Sequence, residues 1–246
     1  MGDQSIHIPY DHQRLNHPRH IPWIMKQTWL DTLFVHFPVE KEFLNKVVPS
    51  SLPVDTFNQT GWISFVPYLV SSVRIRGLPP IPGIRQFVGF NIRTYVNLNG
   101  KPGVYFFSLA ATDWLNAKMA KLFFQLPYFY RNMDIVVKTA DSFTFSLREQ
   151  ERKTEWTYRP TSDQRLAVKG SLEEWLVERY CLYTVNKRGE PMRSDIRHRS
   201  WLLQDVEVDF QDSSIFSDHW ISLSSQKPIC HYSKKKEVQI WPIRLC

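Results

Sequence analysis

Lys118 and Lys121 sit three residues apart in the stretch 112–129, a spacing that puts both on one side of a helix running from Trp114. A lysine amine attacks a ketone only as the free base. Its pKa must therefore fall from about 10.4 to about 7, roughly 4 kcal/mol of differential stabilisation by burial or a neighbouring cation. Leu115, Met119, Leu122 and Leu126 form the apolar stripe of that helix, with Lys118, Lys121 and Gln125 on an adjoining face. That pattern predicts solvated lysines rather than nucleophiles. Pro127 follows, then Tyr128 and Phe129. A tyrosine at 128 can stack and donate a hydrogen bond but stays neutral and non-nucleophilic at neutral pH. Tyr128, Phe129 and Tyr130 read equally as core aromatics or as a cavity wall.

Arg93 lies in an alternating stretch beside Thr94 and Tyr95. It is permanently charged, so if its face turns inward it needs an anion, either a protein carboxylate or the carboxylate or phosphate of a ligand. His36 and His198 have no serine, cysteine or carboxylate at a recognised catalytic spacing and remain secondary candidates. His7, His12, His17 and His20 fall in a polar stretch with no periodicity, and metal ligands need a rigid frame, so no metal or other cofactor is expected. Cys181, Cys230 and Cys246 form no Cys-x-x-Cys pair and read as free thiols in a reducing cytoplasm.

The elements that would hold these groups are mostly strands. Sixteen Pro against nine Gly in 246 residues predict strands joined by stiff turns. Residues 1–20 read as a polar arm and 21–246 as one domain. Phe43, Leu44, Val47 and Val48 are spaced for a short amphipathic helix ending at Pro49, and a strand over Trp62–Val66 should end at Pro67. The proline-dense stretch Gly77–Gly83 suits a stiff extended loop, either a crossover or the cover of a pocket mouth. Ile92–Leu98 and Val104–Ala110 flank Asn99-Gly100-Lys101-Pro102 as a hairpin, and Phe143–Leu147 with Thr154–Tyr158 make a second. Ser171 followed three residues later by Glu174 starts a capped helix with Leu172, Trp175, Leu176 and Arg179 on one face. Further strands are expected at Cys181–Asn186, Leu202–Asp209 and Val238–Ile243, and Lys234-Lys235-Lys236 reads as a solvated turn. Short strands with a few isolated helices predict a mainly antiparallel sheet closed or folded on itself. No phosphate-binding glycine pattern is present.

Leu44–Asp55, with its helix running into proline, resembles the entry of acetoacetate decarboxylase relatives. The closer resemblance is to an uncharacterised family, the YqjF type, grouped with the acetoacetate decarboxylase-like fold. It rests on Pro49–Phe57, Phe90-Asn91-Ile92-Arg93-Thr94-Tyr95-Val96, Gly100–Leu109, Leu126-Pro127-Tyr128, Glu178-Arg179-Tyr180 and Ile196–Leu202. It implies a β-barrel or cone with a central cavity and a few short helices. In acetoacetate decarboxylases two adjacent lysines follow the proline, where this chain has Tyr128 and Phe129, and Lys118 and Lys121 do not fall on that pair. Two further departures remove carboxylates: Gly89 stands where relatives carry glutamate, and Ala110 where they carry aspartate.

Together these readings predict a protein without a catalytic lysine that binds a small apolar or aromatic molecule, carboxylate-bearing or not, without a covalent bond. Trp62, Tyr105 and Tyr128 would supply walls and Arg93 an anchor. The alternative is a Schiff-base enzyme of the decarboxylase or aldol type using Lys118 or Lys121. The net charge of +7 is scattered and accompanied by no nucleic-acid motif, so no nucleic-acid partner is expected. No eighteen-residue apolar window or signal-peptide run occurs, so no membrane partner is expected either.

Overall fold

A computed structural model describes residues 21–78, 86–112, 128–139, 141–149, 152–213 and 227–246. Residues 1–20, most of the proline-dense stretch, and the expected helix with Lys118 and Lys121 lie outside the described residues. The strands are β1 (Met25–Val39), β2 (Gly61–Ile75), β3 (Phe87–Leu98), β4 (Lys101–Ala111), β5 (Tyr128–Tyr130), β6 (Asn132–Thr139), β7 (Ser142–Glu149) and β8 (Arg152–Pro160). They continue as β9 (Arg165–Leu166), β10 (Cys181–Val185), β11 (Pro191–Arg197), β12 (Leu202–Ser213), β13 (Ile229–Ile240) and β14 (Arg244–Leu245). Two short helices are described, α1 (Lys41–Val47) and α2 (Leu172–Val177).

One sheet carries all fourteen strands, with β11-β10-β4-β3-β2-β1-β13 in sequence and a further β11–β13 pairing that closes these seven into a ring. Most pairs are antiparallel, but β10 runs parallel to β4, with Leu182 opposite Val104. Beyond β13 the sheet continues through β12, β8, β7 and β6.

Two hydrophobic clusters follow from the two faces of the ring strands, because successive side chains of a strand point to opposite sides. Phe34, Trp62, Tyr95, Val104, Leu182, Ile196 and Val238, one from each ring strand, converge in a single cluster with Leu176 and Val177 of α2. These are the inward-facing residues of a cone, and α2 lies across it. The opposite faces of β1–β3, through Leu33, Val35, Phe37, Phe65 and Phe90, pack against Phe143 and Phe145 of β7 and Trp156 and Tyr158 of β8. Phe90 stacks on Phe145 at 5.2 Å, and Phe65 meets Trp156 edge-on at 6.4 Å.

Local chemistry explains most element boundaries. Asn99 and Gly100, with φ of 54° and 76°, turn β3 into β4 as an Asn-Gly hairpin should. Ser171 caps α2 by accepting from the Glu174 N–H at 3.2 Å, while the Glu174 carboxylate takes the Gly170 N–H at 2.6 Å. Arg179 lies beyond the end of α2 rather than on its face.

Two boundaries differ from expectation. Pro67 lies inside β2, opposite the part of β1 where the register slips between Leu30 and Val35. A ladder can dispense with one N–H at such an irregularity. Asp31, at φ 49°, lies within that slip, and its carboxylate accepts from the Tyr232 hydroxyl at 2.5 Å. The triplet Lys234-Lys235-Lys236 is not a turn but part of β13, and Lys236 is buried. Its ammonium donates to the carbonyls of Arg199 and Ser200 at 3.2 and 2.6 Å and lies over the Trp201 ring at 4.9 Å, which replaces the water it has lost.

The parallel seam between β4 and β10 leaves no room at Gly103. A Cβ there would lie 2.5 Å from the Cys181 carbonyl oxygen and 2.7 Å from the Tyr183 ring. Gly103→Ala should cost about 1–3 kcal/mol, as overpacking against a backbone atom typically does. Urea denaturation should show a lower midpoint with an unchanged slope.

Candidate functional site

Inside the cone, four neighbouring strands set polar groups among aromatic rings. On β3 the residues Gly89, Asn91, Arg93 and Tyr95 alternate inward. Across β2 the first three are opposite Tyr68, Val66 and Ser64, and Trp62 shares the inner cluster with Tyr95. On β1, Phe34 and His36 face the same interior, with His36 opposite Ser64. On β13, His231 is opposite Phe34.

Phe34 is the hub of this arrangement. Its ring stacks on His36 at 5.8 Å, meets Trp201 edge-on at 4.9 Å, and lies beneath the Arg93 guanidinium at 5.6 Å. Tyr68 packs with Trp29 at 5.0 Å and beside Asn91. Its ring also fills the space above Gly89, where an added Cβ would come within 2.6 Å of Cζ.

The hydrogen bonds form a short relay. His36 Nδ1 is 2.7 Å from Ser64 Oγ, and Ser64 Oγ is 2.6 Å from the Tyr95 hydroxyl, itself 3.3 Å from His36 Nδ1. The positive charge of Arg93 also acts on the Tyr95 phenol. On the far side of His36, the His231 ring lies at 5.8 Å, and its Nε2 meets Glu173 Oε1 at 3.2 Å. Glu173 of α2 is held in turn by a two-pronged bond from Arg165 at 2.6 and 2.7 Å. Arg179 tethers the same region by donating to Asp55 at 2.7 Å and to the Trp175 carbonyl at 2.7 Å, with its guanidinium 4.1 Å over the Trp175 ring.

Several buried polar atoms of this face have no hydrogen-bond partner among the described residues: His36 Nε2, Trp62 Nε1, Arg93 Nε and Nη2, Asn91 Oδ1 and His231 Nδ1. Arg93 forms no ion pair with the described residues, so no carboxylate among them accounts for its charge. Burial, reinforced by His231 and Arg93, holds the pKa of His36 well below the usual histidine range. Burial also lowers that of His231, against the opposing pull of Glu173. The Arg165 bonds hold the Glu173 carboxyl below its ordinary range, and burial pushes the Tyr68 phenol up to about 12. At neutral pH the described interior thus holds two neutral imidazoles, protonated phenols and the Arg93 guanidinium, with the Asp55-paired guanidinium of Arg179 on the other side of Tyr95.

Of the residues singled out from sequence, Arg93 and Trp62 share this face. Tyr105 lies on the opposite one, beside Phe107 at 5.5 Å and in the outer cluster, while Phe106 faces inward. Tyr128 lies in β5, paired parallel to β4 opposite Leu109. Lys118 and Lys121 lie outside the described residues. His198 stacks on Tyr180 at 4.5 Å and bonds the Arg199 carbonyl at 2.8 Å, apart from the His36 relay. His36 does have a serine at bonding distance, but one 28 residues away across two strands, which local spacing does not reveal. His231, Glu173 and Tyr68 carried no local signal either. Ala110 belongs to the outer cluster, so an aspartate there would not have faced the cone.

Comparison with known proteins agrees with this architecture. Residues 26–237 match DUF2071, described as an uncharacterized conserved protein. The uncharacterized protein YqjF of Bacillus subtilis (strain 168) is 44% identical over 225 residues, covering 90% of this chain and 92% of its own. The enduracididine biosynthesis enzyme MppR, complexed with the condensation product of pyruvate and imidazole 4-carboxaldehyde, superposes with a TM-score of 0.64 at 12% identity, covering 91% of this chain and 89% of that one. The acetoacetate decarboxylase of Legionella pneumophila gives a TM-score of 0.63 at 10% identity, with 100% and 98% covered. At such identities these two establish the acetoacetate decarboxylase-like fold.

Two buried neutral histidines make stability fall on the acid side. The unfolded chain takes up a proton below about pH 6.5 while the folded chain does not, so each such group removes up to about 1.4 kcal/mol per pH unit until its own folded pKa is reached. Urea denaturation between pH 7.5 and 5.5 should therefore show falling stability, and His36→Gln should show a shallower fall. Equal slopes in the two proteins would place the proton uptake elsewhere.

Proposed function

The chain belongs to the DUF2071 family, and from that membership and the cone's unpartnered donors we propose that it binds a small aromatic or apolar carboxylate inside the cone, without a covalent bond. One observation carries the reading: the Arg93 guanidinium lies on an aromatic floor with Nε and Nη2 buried and without a partner among the described residues. An unpaired buried cation is costly, and a carboxylate accepting from Nε and Nη2 in the two-pronged manner of arginine would relieve that cost. Trp62 Nε1 adds an indole donor on the same face. Phe34, Tyr68 and Trp201 supply rings against which an apolar body can pack.

The likeness to MppR supports the chemistry, because that protein is complexed with a molecule joining pyruvate to an imidazole ring. The positively biased interior disfavours amines and cations. Binding therefore selects acceptor-bearing ligands over donors of the same shape.

Thermal-shift titration with phenylpyruvate should raise the melting temperature, while phenethylamine should not. Arg93→Met should weaken phenylpyruvate binding roughly 10- to 100-fold, the worth of about 1.5–3 kcal/mol in lost charge-assisted hydrogen bonds. Arg93→Lys should recover only part of it, since an ammonium cannot reproduce the fork. Unchanged affinity in Arg93→Met would overturn the assignment.

A further inference from the structure

Carboxylate anchoring accounts for Arg93 but not for the His36 imidazole that feels its charge or the His231 imidazole next to His36, whose free nitrogens have opposite polarity. In the relay, the Tyr95 and Ser64 hydroxyl hydrogens and any hydrogen on His36 Nδ1 share three atoms within 2.6 to 3.3 Å. If Nδ1 carried a hydrogen and gave it to Ser64, Ser64 would donate to Tyr95 and the buried Tyr95 hydrogen would have no acceptor in the relay. With Nδ1 bare, Tyr95 donates to Ser64, Ser64 donates to Nδ1, and every hydrogen is used. His36 Nε2 then bears the hydrogen and is a donor. At His231 the order is reversed. Glu173 is an ionised acceptor, so His231 Nε2 must carry the hydrogen toward it, which leaves Nδ1 as a buried lone pair. Both free nitrogens, His36 Nε2 and His231 Nδ1, are buried without a partner, on rings 5.8 Å apart around Phe34.

We infer that the cone moves a proton: His231 Nδ1 removes a hydrogen from the carbon next to the carbonyl of a 2-oxo carboxylate whose carboxylate is held by Arg93. This rests on the carboxylate reading above. The C–H bond breaks, its proton goes to Nδ1, and its electron pair forms the C=C bond of an enolate. The carbonyl oxygen takes the charge and accepts from His36 Nε2–H. Return of a proton from His231, after exchange with water, restores the ketone, so the step needs no other reactant. Glu173 is a positioning residue that fixes the tautomer of His231 and stabilises the imidazolium, as a carboxylate does behind a catalytic histidine. The preset donors around the oxygen supply the electrostatic half of the catalysis.

The test follows loss of the C3 proton signal of phenylpyruvate by NMR in D2O, with thermal shift as an independent measure of binding. The wild-type protein should exchange these protons at least tenfold faster than buffer alone. His231→Gln should still bind phenylpyruvate but lose the acceleration, the 10²- to 10⁴-fold contribution typical of a positioned base. Glu173→Gln keeps the base but frees its tautomer, so exchange should slow at least tenfold and the ¹⁵N signals of His231 should show both tautomers. Arg93→Met should lose binding and exchange together. Binding without exchange above buffer, or undiminished exchange in His231→Gln, overturns the proton transfer while leaving the carboxylate reading intact. Absence of binding by the wild type overturns both.

Discussion

A guanidinium held inside a closed ring of strands without a counter-charge among the described residues is the condition to which the rest of this structure answers. Water cannot solvate Arg93 Nε and Nη2, and no described carboxylate does so. Each buried donor left unmade costs on the order of 1–3 kcal/mol, more for a charged group. The fold tolerates that cost because the ring is packed on both faces. Inside, Phe34, Tyr95, Trp62 and Trp201 pack with α2, and outside Phe65, Phe90, Phe145 and Trp156 stack in a second layer. Strain and unpaired polarity of this kind persist where surrounding packing over-determines them, and they mark functional places.

Closure of the ring turns strand parity into site geometry. Because side chains alternate, β3 can send Arg93 and Tyr95 inward and Ile92 and Val96 outward without any change of backbone direction. Irregularities then adjust the aim. The slip in β1 around Asp31 sets Phe34 and His36 against Ser64 and His231, and the slip of β4 against Ile92 and Arg93 turns Phe106 inward and Tyr105 outward. Asp31 is fastened by the Tyr232 hydroxyl, so the bulge that aims the inner face is held from the outer one. α2 completes the site from another direction, since its capped first turn carries Glu173 to His231 while Arg179 fixes the chain just beyond it.

These devices explain which parts could be read from the chain. Asn99-Gly100, the Ser171 cap and the alternation around Arg93 are local signals, and each marks the element that is found. β1 escaped notice because both its faces are buried, which erases the polar–apolar alternation by which a half-buried strand is recognised. Aromatic type alone does not tell which face Tyr105 takes, and the slip of β4 that decides it is visible only from the partner strand. The relay of His36, Ser64 and Tyr95 spans three strands, and His231 lies far along the chain, so no spacing rule reaches them. The short strands already pointed to a mainly antiparallel sheet closed on itself, and the resemblance added the cone.

Gly89 ties the electrostatics to the packing. The resemblance implies a glutamate there, and its side chain would stand on the inner face two residues from Asn91 and four from Arg93. Tyr68 occupies that space and, with its phenol pushed up to about 12 by burial, contributes no charge at neutral pH. Replacing a carboxylate with a neutral ring removes the acceptor best able to compete for the arginine. It also leaves His36 and His231 as the titratable groups with unpartnered nitrogens on this face among the described residues. On this inner face, therefore, Arg93 has no carboxylate partner among the described residues, and the Glu173 carboxylate meets His231 instead.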